Sequence, residues 1–455
     1  MLIRFSAENF LSFKDRVLFS MIPGKGTLKP FHKSQPVKGI STLKAAVVFG
    51  ANASGKSNLI KAIDFGRNLV LKGTKSDQLI EFQNFRLDSK TLVSNSRIEY
   101  EIQHNGKNYA YGFVFNKNQI DEEWLFEINK KNDIKIFERN AKKTTAFDLE
   151  PLLKKNKKDE EKQFLQFIAK STPNNQLFLT EVRTRKVKEN VKDISDLINV
   201  IDWFQNVLNV VFPDDKYKLG VKSELRDGSK LQSTFEELLE YFDTGINGIC
   251  LEKVDFENVE VPFEIKKDIT DDLTSAKNED FRVALVSPTN ATYFFSRQKN
   301  KIVAEKFMTK HKIAGSKKDT LFDTSDESDG TNRIIDFIPV IIDLLQGEKV
   351  FFIDEMERSL HPNLIYDLFD LFLAKCENIN SQLIIASHES SLLTQKLLRK
   401  DEIWFIVKDK GGSSHMHSLE EYNIRFDKEI RRNYLQGRFK AVPRIGNRDH
   451  LTVLP

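Results

Sequence analysis

Residues Gly50 to Ser57 read Gly-Ala-Asn-Ala-Ser-Gly-Lys-Ser, directly after the apolar run Ala45-Ala46-Val47-Val48-Phe49 and directly before a helical pattern opening at Asn58-Leu59-Ile60. A strand, a glycine-bounded loop and a helix in this order form the frame of a phosphate-binding loop. Several backbone amides must converge on a polyanion there, and Gly50 and Gly55 let the chain curl without Cβ clashes. The following helix points its N-terminal amides at the same phosphates, Lys56 reaches the β- and γ-phosphates, and the Ser57 hydroxyl ligates Mg²⁺. The candidate contacts to ATP are therefore Gly50, Asn52, Ser54, Gly55, Lys56, Ser57 and Asn58, with Mg²⁺ as the companion ion.

The C-terminal half supplies further chemistry. Val350-Phe351-Phe352-Ile353 ends in Asp354-Glu355, the pattern of a buried parallel strand that presents two carboxylates at its C-terminal edge. Asp354 is placed to hold the Mg²⁺ hydration shell and Glu355 to polarise an attacking water. Upstream, Asp326 to Arg333 contains Ser328-Asp329-Gly330 just before the apolar-periodic stretch Ile334 to Leu345. Ser-x-Gly at a helix start is either a plain cap or a second anion-binding device. Being remote from the first loop, it would naturally contact the γ-phosphate held by another subunit. Gln382 to Ser387 is another apolar strand, and it ends at His388, which can donate a hydrogen bond to a γ-phosphate and report its presence.

Composition closes off other classes. Of 455 residues 40% are hydrophobic, with 36 phenylalanines, while 30% are charged, so a packed core with a well-solvated surface is expected. No apolar run reaches the roughly 18 residues needed for a membrane span, and Met1-Leu2-Ile3-Arg4-Phe5-Ser6 carries no secretory pattern, so a cytoplasmic protein without membrane association is expected. Cys250 and Cys376 lack the spacing of a disulfide framework or zinc site. A net charge of +4, from 70 basic and 66 acidic side chains, does not by itself imply nucleic-acid binding. A local patch does exist: Arg297, Lys299, Lys301, Lys306, Lys310 and Lys312 lie near Phe294-Phe295, as a DNA surface or as the charged face of a hairpin.

Along the chain, Leu2 to Phe5 and Val17 to Met21 read as paired strands. Residues 97–102, 109–115 and 124–128 alternate like strands, with Asn105-Gly106 as a hairpin turn. From about Ala141 to Phe212 the chain is lysine-rich and helical, with the solvated run Lys154 to Lys162 and the stripe Leu197, Ile198, Ile201, Phe204, Leu208. The expected division is an N-terminal part with the phosphate loop and a β-rich lobe at 1–140, a helical insertion at 141–280 and a C-terminal part with Ser328-Asp329-Gly330, Asp354-Glu355 and His388 at 281–455. No heptad pattern persists long enough for a coiled-coil arm.

The order of Gly-x-x-x-x-Gly-Lys-Ser, Ser-x-Gly, strand with Asp-Glu and strand with His resembles the ABC-type ATPase heads shared by chromosome-maintenance (SMC), RecF-like and OLD-like proteins. In detail it looks closest to the compact ATPase components of phage-defence and abortive-infection systems, the RloA, AbiL and AriA type. The matching stretches are Asn9 to Phe13, Gly50 to Asn58, Glu327 to Arg333, Phe352 to Pro362, Ala386 to His388, and Tyr434 to Phe439 with Val442-Pro443. The resemblance implies an α/β fold: an ABC-type P-loop head with a mixed β lobe, a parallel-sheet lobe and an inserted helical lobe. It implies ATP hydrolysis with Glu355, His388 and Lys56 as catalytic residues and Ser57, Asp354 and Gln83 around Mg²⁺. It implies a head-to-head ATP dimer, with rings of dimers as a larger option, in which Ser359 and His361 run along the seam. In the resembled defence systems the partners are a separate toxic effector, often a TOPRIM-like nuclease, and a phage trigger protein or DNA.

The alternative reading is a RecF/OLD-like DNA-binding ATPase in repair or processing. An intrinsic nuclease would need its own acidic metal cluster after the head, and the stretch following His388, including the basic segment Arg425 to Arg444, is too short for both. A transporter subunit is disfavoured by Glu-Ser-Asp-Gly standing where transporters have Leu-Ser-Gly-Gly.

Overall fold

Three fully buried apolar runs, Ala45–Gly50, Val350–Asp354 and Gln382–Ser387, are the strands that position the site. They lie side by side and parallel, as near-continuous apolar runs do when both faces of a sheet are covered. The computed structural model describes residues 1–455 except 76, 144, 145, 157, 226, 227, 277, 279, 280, 300, 423–429 and 444–455. Arg425, Arg444 and the expected boundary at 280 lie outside the described residues.

The chain divides into two units, residues 1–213, 344–357 and 366–455 in the first and 214–343 with 358–365 in the second. The first unit holds two sheets. The six-stranded sheet runs in the order Ser414–Ser418, Ile403–Lys408, Ala45–Gly50, Gln382–Ser387, Val350–Asp354, Leu208–Val211, all parallel except the first strand. The seven-stranded antiparallel sheet has the order Val17–Ser20, Leu2–Glu8, Ser96–His104, Lys107–Phe115, Ile120–Glu127, Ile134–Asn140, Phe147–Asp148. The expected hairpin at Asn105-Gly106 is present, with positive φ at both residues (47° and 73°). Buried Gln382 ties the sheets together: its side chain accepts from the Leu2 N–H and donates to the Leu2 and Leu43 carbonyls. The helix Lys56–Lys72 buries Leu59, Ile60, Ile63, Gly66, Leu69 and Val70 between the sheets, the spacing of one helical face.

The expected insertion boundaries do not coincide with the units. Helices at 150–202 belong to the first unit, because Leu152, Leu165, Ile168, Phe178, Leu197 and Phe204 all enter its core. Buried Glu123 anchors them by accepting the N–H groups of Phe178 and Leu179 at a helix start. The stretch read as helix up to Phe212 ends instead in the strand Leu208–Val211, paired with Val350–Ile353. The second unit is not purely helical. Its sheet runs Gly248–Val254, Lys301–Lys312, Thr292–Gln298, Arg282–Val286, with Asp319–Asp323 also pairing Lys301–Lys312. A division at 280 would cut this sheet, since Gly248–Val254 and Lys301–Lys312 pair across it.

Candidate functional site

Register decides what meets at the edge of the six-stranded sheet. Asp354 is level with Ala386, Ser387 with Phe49, and Gly50 with Ile406. The C-terminal ends of three parallel strands therefore deliver Gly50, Asp354-Glu355 and His388 to one rim, where ligands bind in sheets of this kind.

The loop 50–57 has the geometry its glycines suggest. A Cβ on Gly50 would stand 2.4 Å from Ser54 Oγ and 2.7 Å from the Ile406 carbonyl, and Gly55 adopts φ +114°. The loop is braced from two distant segments. Asn58 Nδ2 donates to Ser12 Oγ (2.8 Å), Ser12 Oγ lies 2.8 Å from Ser414 Oγ, and Ser414 Oγ lies 2.6 Å from the Ser54 carbonyl. Ser414 Oγ is the donor to both the Ser54 carbonyl and Ser12 Oγ, its one proton shared between them, and Ser12 Oγ also accepts from Asn58 Nδ2. The Asn58 side chain is thus committed to this brace. Asn52 is exposed on the loop, whereas the Ser54 hydroxyl is buried without a partner.

Lys56 is only 5% exposed, and its Nζ donates to the carbonyl of Gly50 (3.1 Å) and to His388 Nε2 (2.7 Å). Burial pulls its pKa down to about 8, although the carboxylates of Glu357, Asp354 and Glu355 oppose that fall. Burial, and then the Lys56 ammonium, hold the His388 imidazole below its ordinary value. The shorter contact from Lys56 is to Nε2, which leaves Nδ1 as the ring nitrogen available to donate a hydrogen bond. His388 itself is on the exposed rim, the place for a group that reports on a ligand.

Asp354 is 3% exposed, and its Oδ1 is buried without a hydrogen-bond partner. Burial raises its pKa even though the Ser57 hydroxyl bonds to it. An orphaned carboxylate oxygen beside a hydroxyl suits a hard divalent cation that completes its shell with water and phosphate oxygens. Among the described residues no cluster of three His, Cys, Asp or Glu side chains could hold a metal alone. Glu355 has φ 46°, unusual for a residue with a Cβ, and its N–H donates to the Ala386 carbonyl at 3.1 Å. The backbone thus turns sharply just past Asp354. Exposed Gln83 is joined to the same neighbourhood through its carbonyl, which accepts from the N–H of Leu11, the residue before Ser12.

A family model described as "AAA domain, putative AbiEii toxin, Type IV TA system" matches residues 45–394. The chain belongs to this family. As an AAA_21 protein it carries an AAA domain related to abortive-infection components, and ATPases of this type use ATP, typically with Mg²⁺. Solved structures that it is similar to include the SMC head domain from Thermotoga maritima, at 10% identity and TM-score 0.36, covering 92% of this chain and 98% of that one. Another is an Smc head bound to the C-winged helix domain of ScpA, at 12% identity and TM-score 0.42, covering 92% and 99%. A third is an Smc head with an extended coiled coil bound to the C-terminal domain of ScpA derived from Pyrococcus furiosus, at 12% identity and TM-score 0.37, covering 92% and 97%. No curated protein gives a significant match. Among the described residues no helix is long and apolar enough to cross a membrane.

In the second unit of this AAA_21 chain, exposed Ser328 accepts the Thr331 N–H and opens the helix Asp329–Gln346. Gly330 sits so close to the Ser359 carbonyl that a Cβ would stand 2.9 Å from it, so the Ser-x-Gly segment and the Ser359 turn are packed together. His361 Nδ1 accepts the Asn363 N–H and caps the next helix start. The candidate DNA patch does not survive as drawn. Phe294 and Phe295 are 1% and 0% exposed and cannot stack on bases, Lys306 is ion-paired with Asp323, and Arg297 donates to the carbonyls of Thr274 and Ala276. Motif spacing brought out Lys56, Asp354, Glu355 and His388, but gave Ser414 no part. Of the brace, Ser54 and Asn58 are marked by the loop and Ser12 by the stretch Asn9 to Phe13.

Proposed function

We propose that the chain hydrolyses ATP in a composite site made by two copies, and that the resulting change of assembly state controls a separate effector, a toxic nuclease, in bacterial anti-phage defence within the cytoplasm. The observation that carries this is the parallel register that puts the Gly50–Ser57 loop, Asp354-Glu355 and His388 on one sheet rim. In this reading the loop amides and Lys56 hold the β- and γ-phosphates, with Asn52 at the loop's exposed turn. Ser57 and Asp354 would hold Mg²⁺, with Gln83 on the water side, and when bound the ion would withdraw charge from the phosphates. Glu355 takes a proton from the attacking water, and His388 donates a hydrogen bond to the γ-phosphate from its ring N–H, keeping the proton. Ser328 and Gly330 of another copy close the γ-phosphate from the opposite side.

The family description, with its toxin and type IV TA wording, supports an abortive-infection setting. Burial of Phe294-Phe295 weighs against DNA as the main ligand of this chain. The test is native purification with ATP and Mg²⁺ followed by mass analysis. An even-numbered assembly with a copurifying nuclease is expected; a monomer under all nucleotide conditions, or DNA as the sole companion, would overturn the proposal.

A further inference from the structure

Glu357 lies two residues beyond Glu355, and no role above uses it. Its Oε1 accepts the main-chain N–H of His388 at 2.5 Å, which fixes the backbone of the rim histidine to the turn after Asp354-Glu355. Its Oε2 is buried with no partner among the described residues. Of the carboxylates acting on Lys56, Glu357 exerts the largest pull, ahead of Asp354 and Glu355. The phenol of Tyr434 also feels its charge, and Tyr434 packs against Phe49, the residue before Gly50, at 5.8 Å between ring centroids. A second link from the same short helix, Ile430–Leu435, reaches the far side of the histidine: Arg431 Nε donates to Ser390 Oγ at 3.2 Å.

These contacts have a simple physical content. A hydrogen bond between a main-chain N–H and an ionised carboxylate is among the stronger single restraints available to a loop residue. His388 projects from the end of a rigid strand into a turn that Glu389 caps by accepting the Ser391 N–H; Glu357 holds the histidine's own main-chain N–H, and Lys56 meets its ring, so Glu357 sets the backbone from which the ring reaches Lys56. A loose histidine would spread over several rotamers and lose part of the benefit of a preset donor. We propose that Glu357 is a positioning residue for ATP hydrolysis: through its bond to the His388 N–H it sets the histidine against the γ-phosphate and couples the turn after Asp354 to the histidine. This rests on the reading that the rim hydrolyses ATP.

The test compares two substitutions in the full chain. Glu357→Gln keeps an oxygen that accepts the His388 N–H, whereas Glu357→Ala removes it. Glu357→Ala should lower kcat roughly ten- to hundredfold, the range for loss of a hydrogen bond to a charged group, with KM for ATP changed less than about threefold. Glu357→Gln should restore kcat to within about threefold of the parent, and the ¹⁵N-resolved amide resonance of His388 should shift in the Ala variant but stay near its parent position in the Gln variant. If Glu357→Ala turns over ATP like the parent, or if the Gln variant is as impaired as the Ala variant, the positioning role is wrong. Absence of turnover in the unsubstituted chain would instead refute the reading of the site, so the two failures are distinguishable.

Discussion

Removing the Ser414 hydroxyl should damage nucleotide binding even though Ser414 lies 357 residues from Ser57 in sequence and need not touch the nucleotide. In Ser414→Ala the contacts to Ser54 O (2.6 Å) and Ser12 Oγ (2.8 Å) disappear. Each neutral hydrogen bond is worth about 1 kcal/mol net, and a buried carbonyl left without a donor costs about 1–3 kcal/mol. Ser414 is 1% exposed, so water does not readily replace the hydroxyl. A loss of about 2–3 kcal/mol, expressed in the loop conformation that binds phosphates, weakens ATP affinity roughly 30- to 150-fold. Ser12→Ala is the internal control: it breaks the chain one link earlier and leaves the Ser414 proton on Ser54, so its effect should be about tenfold or less. Both dissociation constants can be measured by calorimetric titration with a non-hydrolysable ATP analogue, with thermal melts to show that the head remains folded. An affinity within about twofold of the parent for Ser414→Ala, or a larger loss in Ser12→Ala, would refute the brace and the central place of Ser414 in it.

Two further substitutions address chemistry and assembly. Glu355→Gln should slow hydrolysis by roughly 10²- to 10⁴-fold while preserving ATP binding, which filter binding and phosphate release measure together; equal loss of both would remove Glu355 as the base. Gly330→Ala forces a Cβ to 2.9 Å from the Ser359 carbonyl, so the Ser-x-Gly segment must shift. Its expected signature is loss of ATP-dependent association in light scattering with unchanged nucleotide affinity of the single chain, and normal association would contradict the assigned role of that segment.

What could be read from sequence and what could not follows from the range of the interactions. The loop at 50–57, the carboxylates after Val350–Ile353 and the histidine after Gln382–Ser387 are each announced by a contiguous apolar strand and the polar residue at its end. Their meeting on one rim needs only parallel pairing, which such runs favour. The Ser12–Ser414 brace joins segments 402 residues apart, and nothing local marks Ser414 as different from any other serine. Phe294 and Phe295 misled for another reason. Neighbouring residues on a strand face opposite sides, so an aromatic pair beside lysines can be an exposed platform only if one face is open, and here both are covered. The strand Leu208–Val211 continues a helical stripe without a break in composition, and only its pairing with Val350–Ile353 reveals it.

The central claim is that the Gly50–Ser57 loop of one copy is completed by Ser328 and Gly330 of another. Mixing Lys56→Ala chains with Ser328→Arg chains, each inactive alone, tests it most directly. If the site is shared between copies, mixed dimers contain one intact site, and about a quarter of parental ATPase activity should return on mixing at equal amounts, since half of random dimers are mixed. If each chain completes its own site, the mixture should remain as inactive as its two components.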